Sequence, residues 1–194
     1  MAHRSLSYHR RMADVDGGAA DGGVDVIRGG VPAMAVDAAL RHIHRDIVRR
    51  GMTEEQIAEW IWSAHWFPHL KWDEEILALL EHVPGELRDG ELCDPQIVLH
   101  MPDGDEYPLE PHVDRAPEWA NERGYRRIVG IALSPGRCEH GGLLVWPFGK
   151  DGPEPVEVDP GDVVVMHPAL PHTSGFNRTG TIRYAVYFRF LEPV

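Results

Sequence analysis

His112 and Asp114, two residues with metal-binding side chains, lie two positions apart in the strand-like run EPHVDR. Because side chains alternate along a strand, both point to the same face of a sheet. His172, just beyond the run DVVVMHPALP, lies where a neighbouring strand can deliver a third ligand. Two histidines and one carboxylate form a facial triad, which leaves several positions on Fe(II) open for an organic cosubstrate and O2. The residues therefore predict a non-heme iron site at His112, Asp114 and His172.

An arginine follows eleven residues after His172, at the start of the last strand-like run. The planar guanidinium of Arg183 suits a bidentate grip on a carboxylate, and an arginine that points into a barrel needs such a partner. The dicarboxylate 2-oxoglutarate can chelate iron through its keto-acid end while its far carboxylate reaches Arg183. The predicted cosubstrate is therefore 2-oxoglutarate.

The elements that must position these residues fall into two halves. Three amphipathic helical patterns come first, at residues 36–51, 53–66 and 73–85. From residue 95 onward, short β-branched and aromatic runs are separated by Pro, Gly and Asp. The seven runs are QIVLHM, YPLEPHVD, YRRIVGIALS, GLLVWP, PVEVD, DVVVMH and TIRYAVYFRF. Seven such runs without helices of comparable strength between them indicate a sandwich or barrel rather than alternating β-α units.

The stretch GDVVVMHPALPHTSGFNRTGTIRYAV resembles the C-terminal signature of the phytanoyl-CoA dioxygenase-like group of Fe(II)/2-oxoglutarate oxygenases. That signature contains, in order, a Gly-Asp turn, a strand, a His-Pro pair, the distal iron histidine, a serine, an asparagine and an arginine. Upstream, PHVD matches the family's HxD motif, and HGGLLVWPFGK resembles its glycine-leucine segment. The compact spacing also resembles prolyl-hydroxylase-like members of the superfamily. The resemblance covers roughly residues 95 to 190.

This resemblance implies a mainly β fold with N-terminal helices, namely a double-stranded β-helix, the jelly-roll barrel related to cupins. We expect three regions. Residues 1–31, rich in Gly, Ala and Asp, form a flexible arm. Residues 32–90 form helices packed on the barrel, and residues 91–194 form the catalytic core.

Carried over residue by residue, the resemblance implies that His112, Asp114 and His172 ligate iron. It selects His172 over His167, which we expect to cap a strand end or to support the site from behind the ligands. Ser174 and Arg183 are expected to hold the distal carboxylate of 2-oxoglutarate, and Gln96 to contact the cosubstrate or the substrate. Two aromatic residues near the site are candidates for substrate contact, Trp119 and Trp146.

The function implied is hydroxylation of an unactivated C–H bond of a small polar metabolite, an amino acid or a natural-product intermediate, with release of succinate and CO2. The same scaffold also supports desaturation, ring closure and epimerisation. Hydroxylation of a peptide or protein side chain is the main alternative among enzymes. A cupin-like metal-binding protein without oxygenase turnover is the alternative from another class.

Composition indicates which classes of partner and which cellular compartment to expect. The chain of 194 residues carries 31 acidic and 19 basic side chains, a formal net charge of −12. This charge argues against nucleic acid or an anionic membrane surface as the partner and favours a small-molecule substrate. With only two cysteines, no secretory leader and no apolar run near the roughly 20 residues of a membrane span, we expect a cytoplasmic protein.

Overall fold

The computed structural model describes residues 22–51, 53, 70–93, 95–102, 110–116, 120 and 123–193. These residues include two α-helices, α1 Ala33–Arg50 and α2 Glu74–Leu77, and two 3-10 helices, Ala78–His82 and Gly85–Leu87. They also form nine strands: β1 Val24–Ile27, β2 Glu91–Leu92, β3 Gln96–His100, β4 Tyr125–Ala132, β5 Leu143–Val145, β6 Glu154–Val156, β7 Val163–Met166, β8 His172–Ser174 and β9 Arg183–Leu191. The chain is therefore mainly β with helices near its N-terminus.

The strands form two antiparallel sheets. In the six-stranded sheet the order is β1-β7-β4-β9-β2, and β3 also pairs with β9. The three-stranded sheet has the order β6-β5-β8. Within the described part of the chain these are two separate sheets rather than one closed barrel. Strand β9 bonds to β2, β3 and β4, so it lies at the centre of the large sheet.

The two faces of β9 contact different parts of the protein, because side chains alternate along a strand. Tyr184, Val186 and Phe188 face the helices, where they join a core that includes Ile43 and Ile76. Arg183, Ala185, Tyr187 and Arg189 face the opposite way, toward the small sheet. On that side a second apolar cluster joins the two sheets: Ile128, Ala132, Leu143, Val145, Val156, Val158, Val164, Met166 and Leu170. We call the space between the inner faces of the two sheets the cup.

Gly130 on β4 lies directly opposite Tyr187 on β9. A Cβ atom at position 130 would lie 2.6 Å from Cε1 of the tyrosine ring, a distance that real side chains do not tolerate. The absence of a side chain at Gly130 therefore gives the Tyr187 ring its place on the cup face of the sheet.

Most sequence-predicted elements have counterparts in the structure. The first helical pattern is α1, and the third begins with α2 but tightens into the 3-10 helix Ala78–His82 before Pro84. The second pattern, 53–66, lies almost wholly outside the described residues. Six of the seven predicted runs contain a strand; in the seventh, YPLEPHVD, residues 107–109 are not described and His112 forms an isolated bridge. No helix among the described residues is long and apolar enough to cross a membrane.

The flexible-arm prediction for residues 1–31 does not hold for its last part. Val24–Ile27 form β1, which pairs with β7 from Val24↔Met166 to Ile27↔Val163. Val24 and Val26 pack against the apolar cluster of the cup, and this burial stabilises the strand. The Gly- and Asp-rich composition around them does not indicate it. Residues 1–21 lie outside the described part of the chain.

Candidate active site

Backbone pairing brings the first and third predicted ligands together. His112 and His172 form an isolated antiparallel bridge, with the N–H of each donating to the carbonyl of the other at 3.0 and 2.9 Å. His172 begins β8 and pairs with Val145 of β5. Asp114, two residues after His112, follows on the same segment. The candidate site is therefore formed by β8 of the small sheet and by the segment from His112 to Asp114, which pairs with it.

The three predicted ligands converge on one point. One ligand atom from each of His112, Asp114 and His172 lies within 4.8 Å of the others. Oδ1 of Asp114 is 3.9 Å from Nε2 of His112 and 3.9 Å from Nε2 of His172. The two imidazole centroids are 4.6 Å apart. These separations are small enough for one metal ion to draw the three side chains together through small rotations.

Hydrogen bonds orient both imidazoles toward the metal position. Nδ1 of His112 lies 3.0 Å from the carbonyl oxygen of Glu110, and Nδ1 of His172 lies 3.0 Å from that of Leu170. A carbonyl can only accept, so Nδ1 carries the proton and donates in each case. Nε2 of each ring then presents its lone pair to the site. Such outer hydrogen bonds fix the tautomer that a metal-binding histidine needs.

The electrostatic environment keeps Asp114 and His172 in their metal-binding forms at neutral pH. Burial alone would raise the pKa of Asp114, but the charge and hydrogen bond of Arg189, together with the two histidines, lower it below its usual value. Burial lowers the pKa of His172, although the Asp114 carboxylate opposes that shift. Asp114 is therefore ionised and His172 is neutral, the states in which both bind a metal.

Arg189 of β9 completes the surroundings of the carboxylate. Its Nε donates to Oδ2 of Asp114 at 2.6 Å, and its Nη2 donates to Oε1 of Gln96 at 2.7 Å. Arg189 is only 9% exposed. Gln96 begins β3, so this arginine links the metal site to two strands of the large sheet.

Arg183 lies at the other end of the inward face of β9. It is 4% exposed, and its Nη1 donates to the carbonyl oxygen of Gly141 at 3.0 Å. Ser174 is near this end of the cup, because it pairs with Leu143, two residues after Gly141, and shares a strand face with His172. His100 pairs with Arg183 across β3 and β9. Burial and the Arg183 charge lower the pKa of His100 to about 3, so this imidazole is neutral.

The structure places the remaining predicted residues as follows. His167 is not part of the metal cluster; its Nδ1 accepts a hydrogen bond from the Ala169 N–H at 3.1 Å, and its ring packs edge-on against Phe148. Trp146 follows β5 and donates its backbone N–H to the Pro171 carbonyl, and its contact with a substrate stays a prediction. Trp119 lies outside the described residues.

Two residues of the site, Arg189 and His100, were not anticipated from the sequence as site residues. A signal for Arg189 was present, because it follows Arg183 by six positions in an otherwise apolar strand. An even spacing puts both arginines on one face, and a charged residue in such a run needs a buried partner. His100 carries no comparable signal, because a single histidine at a strand end fits a solvated position equally well.

The chemistry of the donor set fits a divalent first-row metal. Two neutral imidazole nitrogens and one carboxylate oxygen are the facial triad of non-heme iron proteins. The Nε2 atoms of His112 and His172 lie near Oδ1 of the ionised Asp114, so the three side chains offer their donor atoms to one metal ion. Other cations with the same preferences, such as Mn(II), Co(II) and Ni(II), suit the same ligands.

Comparison with known proteins agrees with this geometry. The sequence model of the phytanoyl-CoA dioxygenase family matches residues 98–185. That span contains His112, Asp114, His172, Ser174 and Arg183. None of the curated proteins matches the chain in sequence.

Several solved structures share the fold. SnoK, a non-heme alpha-ketoglutarate-dependent carbocyclase from nogalamycin biosynthesis, has a TM-score of 0.66 at 17% identity, over 89% of this chain and 80% of its own. The epimerase SnoN from the same biosynthesis has a TM-score of 0.59 at 17% identity, over 89% and 77%. HygX from Streptomyces hygroscopicus, solved with nickel and 2-oxoglutarate bound, has a TM-score of 0.58 at 15% identity, over 88% and 83%.

Proposed function

We propose that the chain is a 2-oxoglutarate-dependent non-heme iron oxygenase of the phytanoyl-CoA dioxygenase-like group, whose family model matches residues 98–185. His112, Asp114 and His172 hold Fe(II), and Arg183 with Ser174 holds the distal carboxylate of 2-oxoglutarate. When bound, the iron with 2-oxoglutarate and O2 supplies the oxidation of an unactivated C–H bond, with release of succinate and CO2. The chain's own residues orient these groups and the substrate.

The observation that carries this proposal is the environment of Arg183. It is buried, yet no carboxylate of the described residues forms an ion pair with it, and the Gly141 carbonyl takes only one of its five N–H groups. Its neighbour His100 is uncharged and is therefore not the missing anionic partner. A buried guanidinium is costly without an anionic partner. A carboxylate of a bound small molecule supplies that partner, and a planar fork favours two parallel hydrogen bonds to it.

Ser174 and Gln96 receive different roles. Ser174 shares a strand face with His172 and pairs with Leu143, which supports its assignment to the distal carboxylate. Gln96 was expected to contact the cosubstrate or the substrate. Its hydrogen bond to Arg189 favours a role on the iron side of the site, and direct contact with a ligand remains a prediction.

We propose that the substrate is a small polar metabolite, an amino acid or a natural-product intermediate, and that the reaction is hydroxylation. Two structural neighbours support a small molecule: SnoN was solved with a nogalamycin compound and HygX with hygromycin B. The excess of 31 acidic over 19 basic side chains is consistent with a neutral or cationic substrate. Hydroxylation of a peptide side chain is the alternative, and the two are separated by which substrates stimulate succinate release.

The two sheets support the finer fold assignment as well. Two antiparallel sheets that enclose an apolar cluster, with β9 central in the larger one, are the arrangement expected of a double-stranded β-helix. We propose that residues 91–194 form this catalytic core and that residues 32–90 pack on its outside. Ile43 of α1 and Ile76 of α2 lie in the same cluster as Phe188 of β9, which supports that packing.

The experiment that tests the function is anaerobic titration of the Fe(II)-loaded protein with 2-oxoglutarate, recorded as the weak visible charge-transfer band of the chelate. We expect a saturable band in the wild-type protein. In Arg183→Ala, loss of a charge-assisted pair costs about 1.5–3 kcal/mol, which weakens 2-oxoglutarate affinity about 10- to 150-fold. Arg178→Ala is the matched control, because Arg178 is an exposed arginine on the segment just before the same strand.

Each outcome of the titration has a definite meaning. Iron binding without a band assigns the chain to the cupin-like metal-binding proteins and contradicts the oxygenase proposal. A band with equal affinity in wild-type protein and Arg183→Ala contradicts the role of Arg183 while leaving the iron chelate in place. A band that weakens in Arg183→Ala and not in Arg178→Ala supports the full site and justifies a substrate screen by succinate release.

A further inference from the structure

The Asp114 carboxylate is held asymmetrically. Its Oδ1 is 3.9 Å from Nε2 of both His112 and His172, so this oxygen faces the metal position. Its Oδ2 lies 2.6 Å from Nε of Arg189, so this oxygen faces the large sheet. The two oxygens of this carboxylate therefore face different partners.

Arg189 is itself fixed in place. It is buried in β9, which is hydrogen-bonded on both edges, and its backbone pairs with Ile128 of β4. Nη2 of the same guanidinium donates to Oε1 of Gln96, so a second hydrogen bond holds the guanidinium in place. An arginine can bond two separate acceptors through its planar fork, whereas a lysine ammonium is a single point of charge.

We propose that Arg189 is a positioning residue that holds Oδ2 of Asp114 away from the metal, so that the carboxylate binds through Oδ1 alone. The inference rests on the proposed function only in that the site takes a divalent metal. Binding through one oxygen is what keeps a third position open beside the two histidines and the carboxylate, since 2-oxoglutarate occupies two positions and O2 one. A carboxylate free to rotate uses both oxygens and closes one of these positions.

The surrounding charges are consistent with a positional role. Arg189 forms an ion pair with the Asp114 carboxylate, and Gln96, another of its partners, is neutral. The positive charge of Arg189 opposes that of a bound metal, so the residue does not increase metal affinity through simple charge attraction. Its contribution is the direction in which the carboxylate points, which is how outer hydrogen bonds tune metal ligands.

The test counts the exchangeable water molecules on Mn(II) bound to the protein without 2-oxoglutarate, by water-proton relaxation and by line broadening in 17O water. With six-coordinate metal, a carboxylate bound through one oxygen leaves about three waters, and one bound through two oxygens leaves about two. We expect about three waters in the wild-type protein and about two in Arg189→Met. Arg189→Lys, which keeps a donor for Oδ2, is expected to recover most of the wild-type count.

Arg127→Met is the matched control. Arg127 is also buried, on the adjacent strand β4, but its Nη1 donates to the Glu86 carbonyl and not to a metal ligand. Loss of a buried arginine as such therefore leaves the water count at about three in this variant. If Arg189→Met does not fold, Gln96→Leu removes the anchor of the guanidinium with the charge retained and is expected to lower the count in the same direction.

The outcomes separate this inference from the proposed function. If wild-type protein binds no Mn(II), the metal site itself is wrong and both proposals fail. If wild-type protein binds Mn(II) and folded Arg189→Met has an unchanged water count, only the positioning role of Arg189 is wrong. If Arg127→Met lowers the count as far as Arg189→Met does, the effect is general to the sheet, and the inference is again overturned.

Discussion

His100 is a buried histidine that remains neutral beside a buried arginine. Burial and the Arg183 charge lower its pKa to about 3, and a hydrogen bond to the Gly175 backbone opposes the shift. The unfolded chain binds this proton near pH 6.5, so the folded state binds it more weakly. The contribution of His100 to stability is therefore complete above pH 6.5 and declines as the pH falls from about 6.5 toward 3.

Replacement of His100 by glutamine removes this titrating group from both the folded and the unfolded state, so it no longer contributes to the pH dependence of stability. Between pH 7 and pH 4.5 the wild-type protein is expected to lose about 3 kcal/mol more free energy of unfolding than His100→Gln, a difference measured by urea denaturation at both pH values. His82→Gln, at an exposed histidine, serves as the control and is expected to behave like wild-type protein. Parallel pH dependence in wild-type protein and His100→Gln would show that His100 is not the acid-sensitive group.

Among individual residues, the sequence predicted which candidate ligands lie together but not which side chains support them. Strand parity pairs His112 with Asp114, and the motif order adds His172 and Arg183; the structure brings the three ligands within 4.8 Å and buries Arg183. Which carboxylate oxygen faces the metal is not readable from sequence, since it depends on Arg189, which lies 75 residues away from Asp114 in the chain. Long-range side-chain pairing of this kind follows from the fold and not from local pattern.

Among the elements, β1 is held both by its pairing with β7 and by the buried carboxylate of Asp162. Oδ2 of Asp162 accepts from Arg28 at 2.6 Å and from the Asp159 N–H at 2.9 Å, and Oδ1 accepts from the Gly29 N–H at 2.8 Å. Burial alone would raise the pKa of Asp162, but these hydrogen bonds and the Arg28 charge lower it. The turn before β7 and the turn after β1 are thus joined by one side chain.

We expect Asp162→Asn to destabilise the protein by about 2–3 kcal/mol, because an amide cannot accept all three hydrogen bonds and leaves donors unsatisfied. Hydrogen exchange of the β1 amides is expected to accelerate more than that of the β4 amides. Arg28→Ala is the comparison variant: this side chain is 61% exposed, and its loss is expected to cost less than about 1 kcal/mol. Equal losses in the two variants would contradict a central role for the carboxylate.

Element prediction succeeded for the six strands that an apolar run marks, and it missed three short strands among the described residues, β1, β2 and β8. The eight-residue β4 and nine-residue β9 correspond to clear apolar runs. The three-residue β8 and two-residue β2 carry too little pattern of their own, and they exist because a neighbouring strand edge is available to pair with them. The same reason applies to β1, whose four residues follow a Gly- and Asp-rich stretch.

At the level of the complete fold, we expect metal binding to be linked to folding, because the unfolded chain does not hold His112, Asp114 and His172 together. A metal at 100 times its dissociation constant is expected to stabilise the folded state by about 2.7 kcal/mol. For a chain of this size that corresponds to a rise in Tm of about 5–10 °C. The measurement is thermal unfolding with Co(II) or Ni(II) against a chelator, with a His112→Ala, Asp114→Ala double variant as control. An equal rise in that double variant would place the metal elsewhere.

The alternation along β9 also has a consequence for how such a chain can evolve. Its even-numbered residues Tyr184, Val186 and Phe188 belong to the core shared with the helices, whereas the odd-numbered residues face the cup. Substitutions at the inward positions of β9, such as Tyr187 above Gly130, therefore fall on positions outside that core. We expect substitutions at the inward positions to affect the second apolar cluster, against which Tyr187 packs, while the core shared with the helices stays intact. Laboratory selection restricted to the inward positions therefore also leaves the core shared with the helices unchanged.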